Sequence, residues 1–305
     1  MFFMGERVRV RGRDQYVFYV SYSSIFPPYP NPLPHKKHGG EGIGACRSII
    51  MPNIALQVEY SGTHYHGFQR QPTVITVQSC LEKAISQVAN QPIKISCAGR
   101  TDAGVHATAQ MINFQTTAER PLHAWIAGTN SFLPPDIAVK NAWEMPEEFH
   151  ARFSAIHRSY RYIILNTPQR SGIWADRVVH YPSKLNHEKM HQAAQYLLGE
   201  QDFLAFRGSM CQANTTRRCV NYCNVQRDND HLYIDIQANA FLLHMVRNIV
   251  GTLIPIGREQ QPPEWIKEVQ ASGNRQYAGI TMPPQGLYLC GVGYISLHIN
   301  KLPRQ

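Results

Sequence analysis

A chain of 305 residues, 43% hydrophobic and 17% charged, has the makeup of a globular protein with a real core, of one large domain or two ordinary ones. That composition excludes a fibrous or wholly disordered chain, and no apolar run approaches the ~18 residues that a membrane helix needs. The formal charge of +9 excludes little: 21 of the 30 cationic side chains are arginine, which suits phosphate, yet residues 1–50 alone hold +4 of the total. The seven cysteines are scattered, odd in number and without paired spacing, which predicts reduced thiols in the cytoplasm.

Residues 1–50 differ from the rest. VRVRGRDQYVFYV has strand character, but it runs into FPPYPNPLPHKKHGGEGIG, too rich in Pro and Gly to offset its ordering entropy. These residues are expected to be an unstructured, dispensable extension. GGEGIG follows no strand and has the wrong spacing for a dinucleotide loop.

From residue 53 the elements alternate. IALQVEY reads as a strand by its period of two, and VQSCLEKAISQVAN as a helix capped by Thr76 with Val77, Leu81, Ala84, Ile85 and Val88 on one face. IKISCA and AQMINFQT read as strands flanking the turn GRTDAG, whose Gly99 and Gly104 are expected to take unusual backbone angles. Residues 121–129 look helical, DIAVKNAWEM reads as a strand, and a hinge is expected near 150–158.

The second half repeats this grammar. RSYRYIILN reads as a strand, and NHEKMHQAAQYLLGE as a helix from its Asn186 cap to a stop at Gly199. HLYIDIQANA reads as a strand, FLLHMVRNIVGTLIPIG as a long apolar helix, PPEWIKEVQASG as a short helix and GLYLCGVGY as a closing strand. Without a regular βαβ beat, the pattern predicts an α+β fold with largely antiparallel sheets, in two similar lobes.

Three features carry possible chemistry. In the helix predicted over 240–256, His244, Arg247, Asn248 and Gly251 are spaced to form one polar stripe. A buried guanidinium there needs an anion, although an ion pair of purely structural purpose or a snorkelling arginine fits the spacing equally. Asp102 stands in the turn as a lone acid, and most turn aspartates bond their own backbone. If Asp102 projects into a cleft instead, Arg100 or Arg247 is the cation that keeps it ionised. In FHARFSAIHRSYRYIIL, Tyr160 and Tyr162 share a strand face, either as core or as an aromatic platform for a base among phosphate-binding arginines. The His and Cys spacings make no metal framework.

CAGRTDAGVHATAQ resembles the active-site motif of the A-family tRNA pseudouridine synthases, which act on uridines 38 to 40 of the anticodon stem-loop. The resemblance runs from residue 53 to about 295 and includes YSGTHYHGFQRQ, VQSCLEKA, NSFLPPDIAV, FHARFSA, RSYRYIILN, NAFLLHMVRNIVG and GLYL. Residues 1–50 have no counterpart in it. It implies a pseudouridine synthase fold of two lobes, at 51–156 and 157–300, with mixed, mostly antiparallel sheets, flanking helices and a central basic cleft. It implies Asp102 as the catalytic acid, attacking ribose C1′ or assisting loss of the base through a glycal. Tyr160 would pack on the target base and help remove the C5 proton, Arg247 would pair with Asp102, and Arg100 would fill the space left by the flipped nucleotide. Phe149, His150, Arg152, Phe153 and Arg161 are the further expected RNA contacts. The resemblance also implies a tRNA substrate, a homodimer, and neither metal nor organic cofactor. Two rival readings stand beside it: a synthase with another RNA target, and a non-catalytic RNA-binding protein that has no use for Asp102.

Overall fold

The computed structural model describes the backbone of residues 5–10 and 13–21 and the whole of residues 51–295. Among these, twelve strands join one mixed sheet flanked by five α-helices. In chain order they are β1 (Gly5–Val10), β2 (Arg13–Ser21), β3 (Asn53–Tyr60), α1 (Val77–Ala89), β4 (Ser96–Cys97), β5 (His106–Gln115), α2 (Leu122–Phe132), β6 (Ile137–Met145), β7 (Ala155–Leu165) and β8 (Val179–His180). Then come α3 (His187–Gln195), β9 (Gly199–Asp202), β10 (Arg217–Asp228), β11 (His231–Ala238), α4 (Met245–Gly257), α5 (Trp265–Ser272) and β12 (Leu287–Ile295).

The main sheet runs β6-β3-β5-β12-β7-β11-β10-β9. Each half contributes a trio in the same order: closing strand, opening strand, middle strand (β6-β3-β5 and β12-β7-β11). Pairing within each trio is antiparallel, and the trios meet where β5 runs parallel to β12. The two halves are therefore one continuous sheet. β1 and β2 pair antiparallel, and β2 lies along β12. The rest of the expected 1–50 extension lies outside the described residues.

Local sequence accounts for most boundaries. Thr76 closes a reciprocal cap with Ser79 at the start of α1, and Val77, Leu81, Ala84 and Ile85 are buried beneath it. Asn186 caps α3 as expected, but that helix ends at Gln195, short of Gly199. The turn at Tyr196 lets Leu197 enter the core, and Gly199, at φ 85°, opens β9 instead. The strand expected over IKISCA pairs only at Ser96–Cys97. The long apolar helix starts at Met245 rather than near 240, because His244 takes a left-handed conformation. Pro255 leaves the Gly251 carbonyl without its helical donor, and Gly279 packs against that carbonyl.

Candidate active site

The turn between β4 and β5 carries Asp102, and segment 62–68 pins it. The Phe68 amide donates to the Thr101 carbonyl at 2.9 Å, and the Gly104 amide to the Tyr65 carbonyl at 3.4 Å. A Cβ on Gly62 would sit 2.0 Å from the Val105 oxygen, so only glycine allows that approach. Gly104 has φ 77°, as expected of this turn; Gly99 does not have a positive φ and instead faces the Tyr160 hydroxyl, 3.5 Å from where a Cβ would stand. Beneath the turn, Tyr60 and Thr101 share a buried hydrogen bond at 2.7 Å, and Gln110 donates to the Gly99 carbonyl at 2.6 Å.

Asp102 opens onto a cleft of about 950 Å³. Among the described residues it is the only acid on the wall, facing Arg100, Arg152, Arg158 and Arg218. A wall of that balance suits a polyanion. Arg247 reaches Asp102 from α4 in the other half of the chain: its Nη1 lies 3.4 Å from Oδ2 while its Nε donates to the Met282 carbonyl at 2.6 Å. The polar stripe on α4 is thus accounted for. Arg247 serves the acid, Asn248 bonds the Phe206 carbonyl, Arg275 and Thr281, and Gly251 lets the Ile280 carbonyl approach. His244 has left the helix and stands at its entrance, with Nε2 3.5 Å from Asp102 Oδ2. Desolvation, with Arg247 and Arg275 nearby, lowers the pKa of His244 against the opposing pull of Asp102.

Tyr160 lines the cleft from β7, 9% exposed, with Phe241 edge-on at 4.9 Å between centroids. Burial raises its phenol pKa well above the usual range; Asp102 adds to the shift and Arg158 opposes it. Tyr162 is fully buried, and its hydroxyl donates to the Pro283 carbonyl. His150, Arg152 and Phe153 form one lip of the cleft. There the His150 ring accepts from the Arg152 amide at 3.1 Å, and Phe153 is 75% exposed. Arg100 is an exposed neighbour of the acid.

Two expected RNA contacts are placed elsewhere. Phe149 is 2% exposed and packs on Tyr294, so it belongs to the core. Arg161 points away from the cleft and binds Asp235 of β11 through two hydrogen bonds. The sequence reading assigned no role in the site to His244, Phe241 or Arg158. For His244 the spacing to Arg247 was the available signal, but periodicity places it on a helix it does not join. Among the described residues, no group of three or more His, Cys, Asp or Glu is arranged to hold a metal ion, and no helix is long and apolar enough to cross a membrane.

The family model described as tRNA pseudouridine synthase matches residues 56–154 and 193–295, which include the Asp102 turn, α4 and β12 and leave out β7. A protein of Pseudoalteromonas atlantica called tRNA pseudouridine synthase A is 54% identical over 241 residues, 79% of this chain and 92% of its own. The protein of that name from Vibrio cholerae is also 54% identical over 241 residues, 79% of this chain and 91% of its own. The one from Haemophilus ducreyi is 52% identical over 243 residues, 80% and 93% of the two chains. With the family model matched on both sides of β7 and relatives 52–54% identical over 79–80% of the sequence, this chain belongs to the tRNA pseudouridine synthase family.

Proposed function

We propose that this protein isomerises uridine to pseudouridine in tRNA, at positions 38, 39 and 40 of the anticodon stem-loop. The observation that carries the reading is Asp102, among the described residues the lone acid of an arginine-lined cleft, paired with Arg247 from the other half of the chain. The names of the relatives supply tRNA as the substrate class.

A uridine in a stem must leave the stack to meet a carboxylate, at a cost of a few kcal/mol. Exposed Arg100, next to the acid, occupies the vacated space, and Arg152 with Phe153 receives the backbone and a neighbouring base. The bond from C1′ to N1 breaks as Asp102 attacks C1′ or draws a proton toward a glycal. The freed uracil turns on the face of Tyr160 and rejoins C1′ through C5. The C5 proton must then leave, and N1, which bore no hydrogen while bonded to C1′, must gain one, so a proton moves in net from C5 to N1. A phenol held neutral by burial is a poor base on its own. Tyr160 therefore acts as a relay, accepting the C5 proton while passing its own on to Asp102. The rearrangement conserves every atom, so it calls for no metal and no organic cofactor. Division near residue 156 puts the acid on one lobe and its arginine on the other, and the working unit is read as a homodimer in the cytoplasm.

The test is to incubate purified protein with unmodified tRNA and map pseudouridine along the product. New pseudouridine at 38 to 40 is expected. Modification confined to other positions would replace the target assignment, and tRNA bound but unmodified would favour a non-catalytic RNA-binding protein.

A further inference from the structure

Asp102 has two neighbours able to donate hydrogen bonds to its carboxylate, and both reach the same oxygen. Arg247 Nη1 is 3.4 Å and His244 Nε2 3.5 Å from Oδ2, whereas among the described residues Oδ1 accepts no hydrogen bond. The place of the histidine is not a by-product of helix geometry. His244 sits at φ 60°, ψ 5°, a left-handed conformation that a side chain with a Cβ rarely adopts. Its surroundings hold it there. The Asn248 amide donates to the His244 carbonyl at 2.9 Å, and the Gly208 amide donates to the Leu243 carbonyl at 2.8 Å. A Cβ on Gly208 would lie 3.1 Å from His244 Nδ1, so the ring is backed by a backbone surface that admits little more. Strained residues held in this way cluster where a side chain must be aimed. This one is aimed into the cleft, beside the acid.

We propose that His244 is a positioning residue for the Asp102 carboxylate: its Nε2–H joins Arg247 in holding Oδ2, which leaves Oδ1 as the oxygen that meets the ribose. The inference deepens the synthase reading and rests on it. Arg247 supplies the charge. His244 supplies a second fixed point, so that the carboxylate cannot rotate about its last bond. The present separation is long for a hydrogen bond, and such contacts tighten when substrate fills a site and excludes water. A carboxylate held at one oxygen by two donors presents the other in one direction, and alignment of the reacting atoms is worth large factors in rate.

A role in aiming the acid and a role in packing predict opposite orders for two substitutions. His244→Gln keeps a nitrogen donor at about the position of Nε2 and loses the ring. His244→Phe keeps the ring and loses the donor. Tritium release from tRNA labelled at uridine C5 gives kcat and KM for both beside the wild type. For His244→Phe we expect kcat to fall tenfold or more with KM within threefold; His244→Gln should stay within threefold of wild type in both. His244→Phe equal to or faster than His244→Gln would overturn the proposal. If His244→Phe shows no cooperative melting, His244→Asn takes its place, being tolerant of the left-handed backbone but too short to reach Oδ2. It should be slow, and a rate matching His244→Gln would again overturn the proposal. Wild-type protein inert on every unmodified tRNA would sink the synthase reading and this one with it, whereas an active wild type with an equally active His244→Phe removes only the role of His244.

Discussion

Gly251→Ala should damage the site from 4 residues away along α4. A Cβ on Gly251 would stand 1.8 Å from the Ile280 carbonyl oxygen, where ordinary contact begins at 3.4 Å, a shortfall of about 1.6 Å. The obstacle is main chain, so no side-chain rotation relieves it. Overpacking of this kind costs about 1–3 kcal/mol, and a collision with backbone belongs at the upper end. The better helix propensity of alanine returns about 1 kcal/mol. The net loss of roughly 1–2 kcal/mol should lower the melting temperature by about 2–8 °C for a chain of this size. The effect on turnover should be larger. Either α4 or segment 279–282 must move, and Arg247 is tied to both, through its own helix and through the Met282 carbonyl. A displacement near 1 Å at a catalytic group costs on the order of 10²-fold. The assay is thermal melting and pseudouridine formation, with Gly172→Ala as control, since nothing lies within 4 Å of a Cβ there. If Gly251→Ala melts and turns over like the control, the close approach does not hold Arg247 in place.

Tyr160→Phe keeps the ring against Phe241 and removes only the hydroxyl, so tRNA binding should persist by filter binding while single-turnover rates drop by about 10²-fold or more. Wild-type rates in that variant would leave stacking as the only role of the ring. Asp102→Asn and Arg247→Met should each bring turnover to background while tRNA still binds, because affinity comes from contacts spread along the phosphates. The double variant should be no worse than either single one, since both disable one unit; additive losses, read from rates slow enough to require long incubation, would separate their roles. Acid should destabilise the fold through His106 and His157, both buried, whose pKa values are lowered by desolvation first, and by a neighbouring arginine, to about 4. Between the ordinary value near 6.5 and about 4, the unfolded chain binds protons that the folded chain does not, so stability present at neutral pH is lost as pH falls. Each histidine should contribute a slope of up to about 1.4 kcal/mol per pH unit in that window, and urea unfolding that is flat from pH 7 to pH 5 would contradict it.

The elements that the sequence made legible are those whose cause is local. Thr76 and Asn186 announce their helices because a cap needs only its own next three residues. The strand β7 and the arginine at 247 were legible for the same kind of reason: a period of two, and a charge that an apolar surrounding cannot leave unpaired. Long-range causes were not legible. Nothing within residues 241–244 says that Phe241 will pack on Tyr160 and His244 will turn toward Asp102, so apolar periodicity read a cleft wall as the first turn of a helix. Gly99 looked like a turn glycine, but its neighbour is the Tyr160 hydroxyl, 61 positions further on. Phe149 and Arg161 show the converse error. Their types and their run suited RNA, yet Tyr294 and Asp235, both distant in sequence, claim them. The parallel junction of β5 with β12 was invisible too, since strand order is a property of the assembled sheet.

The same distinction governs how much of the cleft's positive charge is free for RNA. Among the described residues four arginines line the wall, but two are committed to the fold. The Arg158 guanidinium donates to the carbonyls of Ala98, Arg152, Ala155 and Asn239, at 2.7–3.2 Å. It thereby ties together the strand before the Asp102 turn, the His150–Phe153 lip and the segment that leads to His244 and α4. Arg218 donates to the carbonyls of Thr215 and Arg217 and is 7% exposed. Arg100 and Arg152 are the exposed pair. Charge in this cleft therefore has two separate duties. Arg158 ties segments from both halves of the chain together and Arg218 is spent on its own turn, while Asp102 and Arg247 pair across 145 positions of sequence. Under the proposed function Arg100 and Arg152, both exposed, are the pair left to meet phosphate, so the salt dependence of tRNA binding should reflect fewer charges than the composition of the cleft suggests.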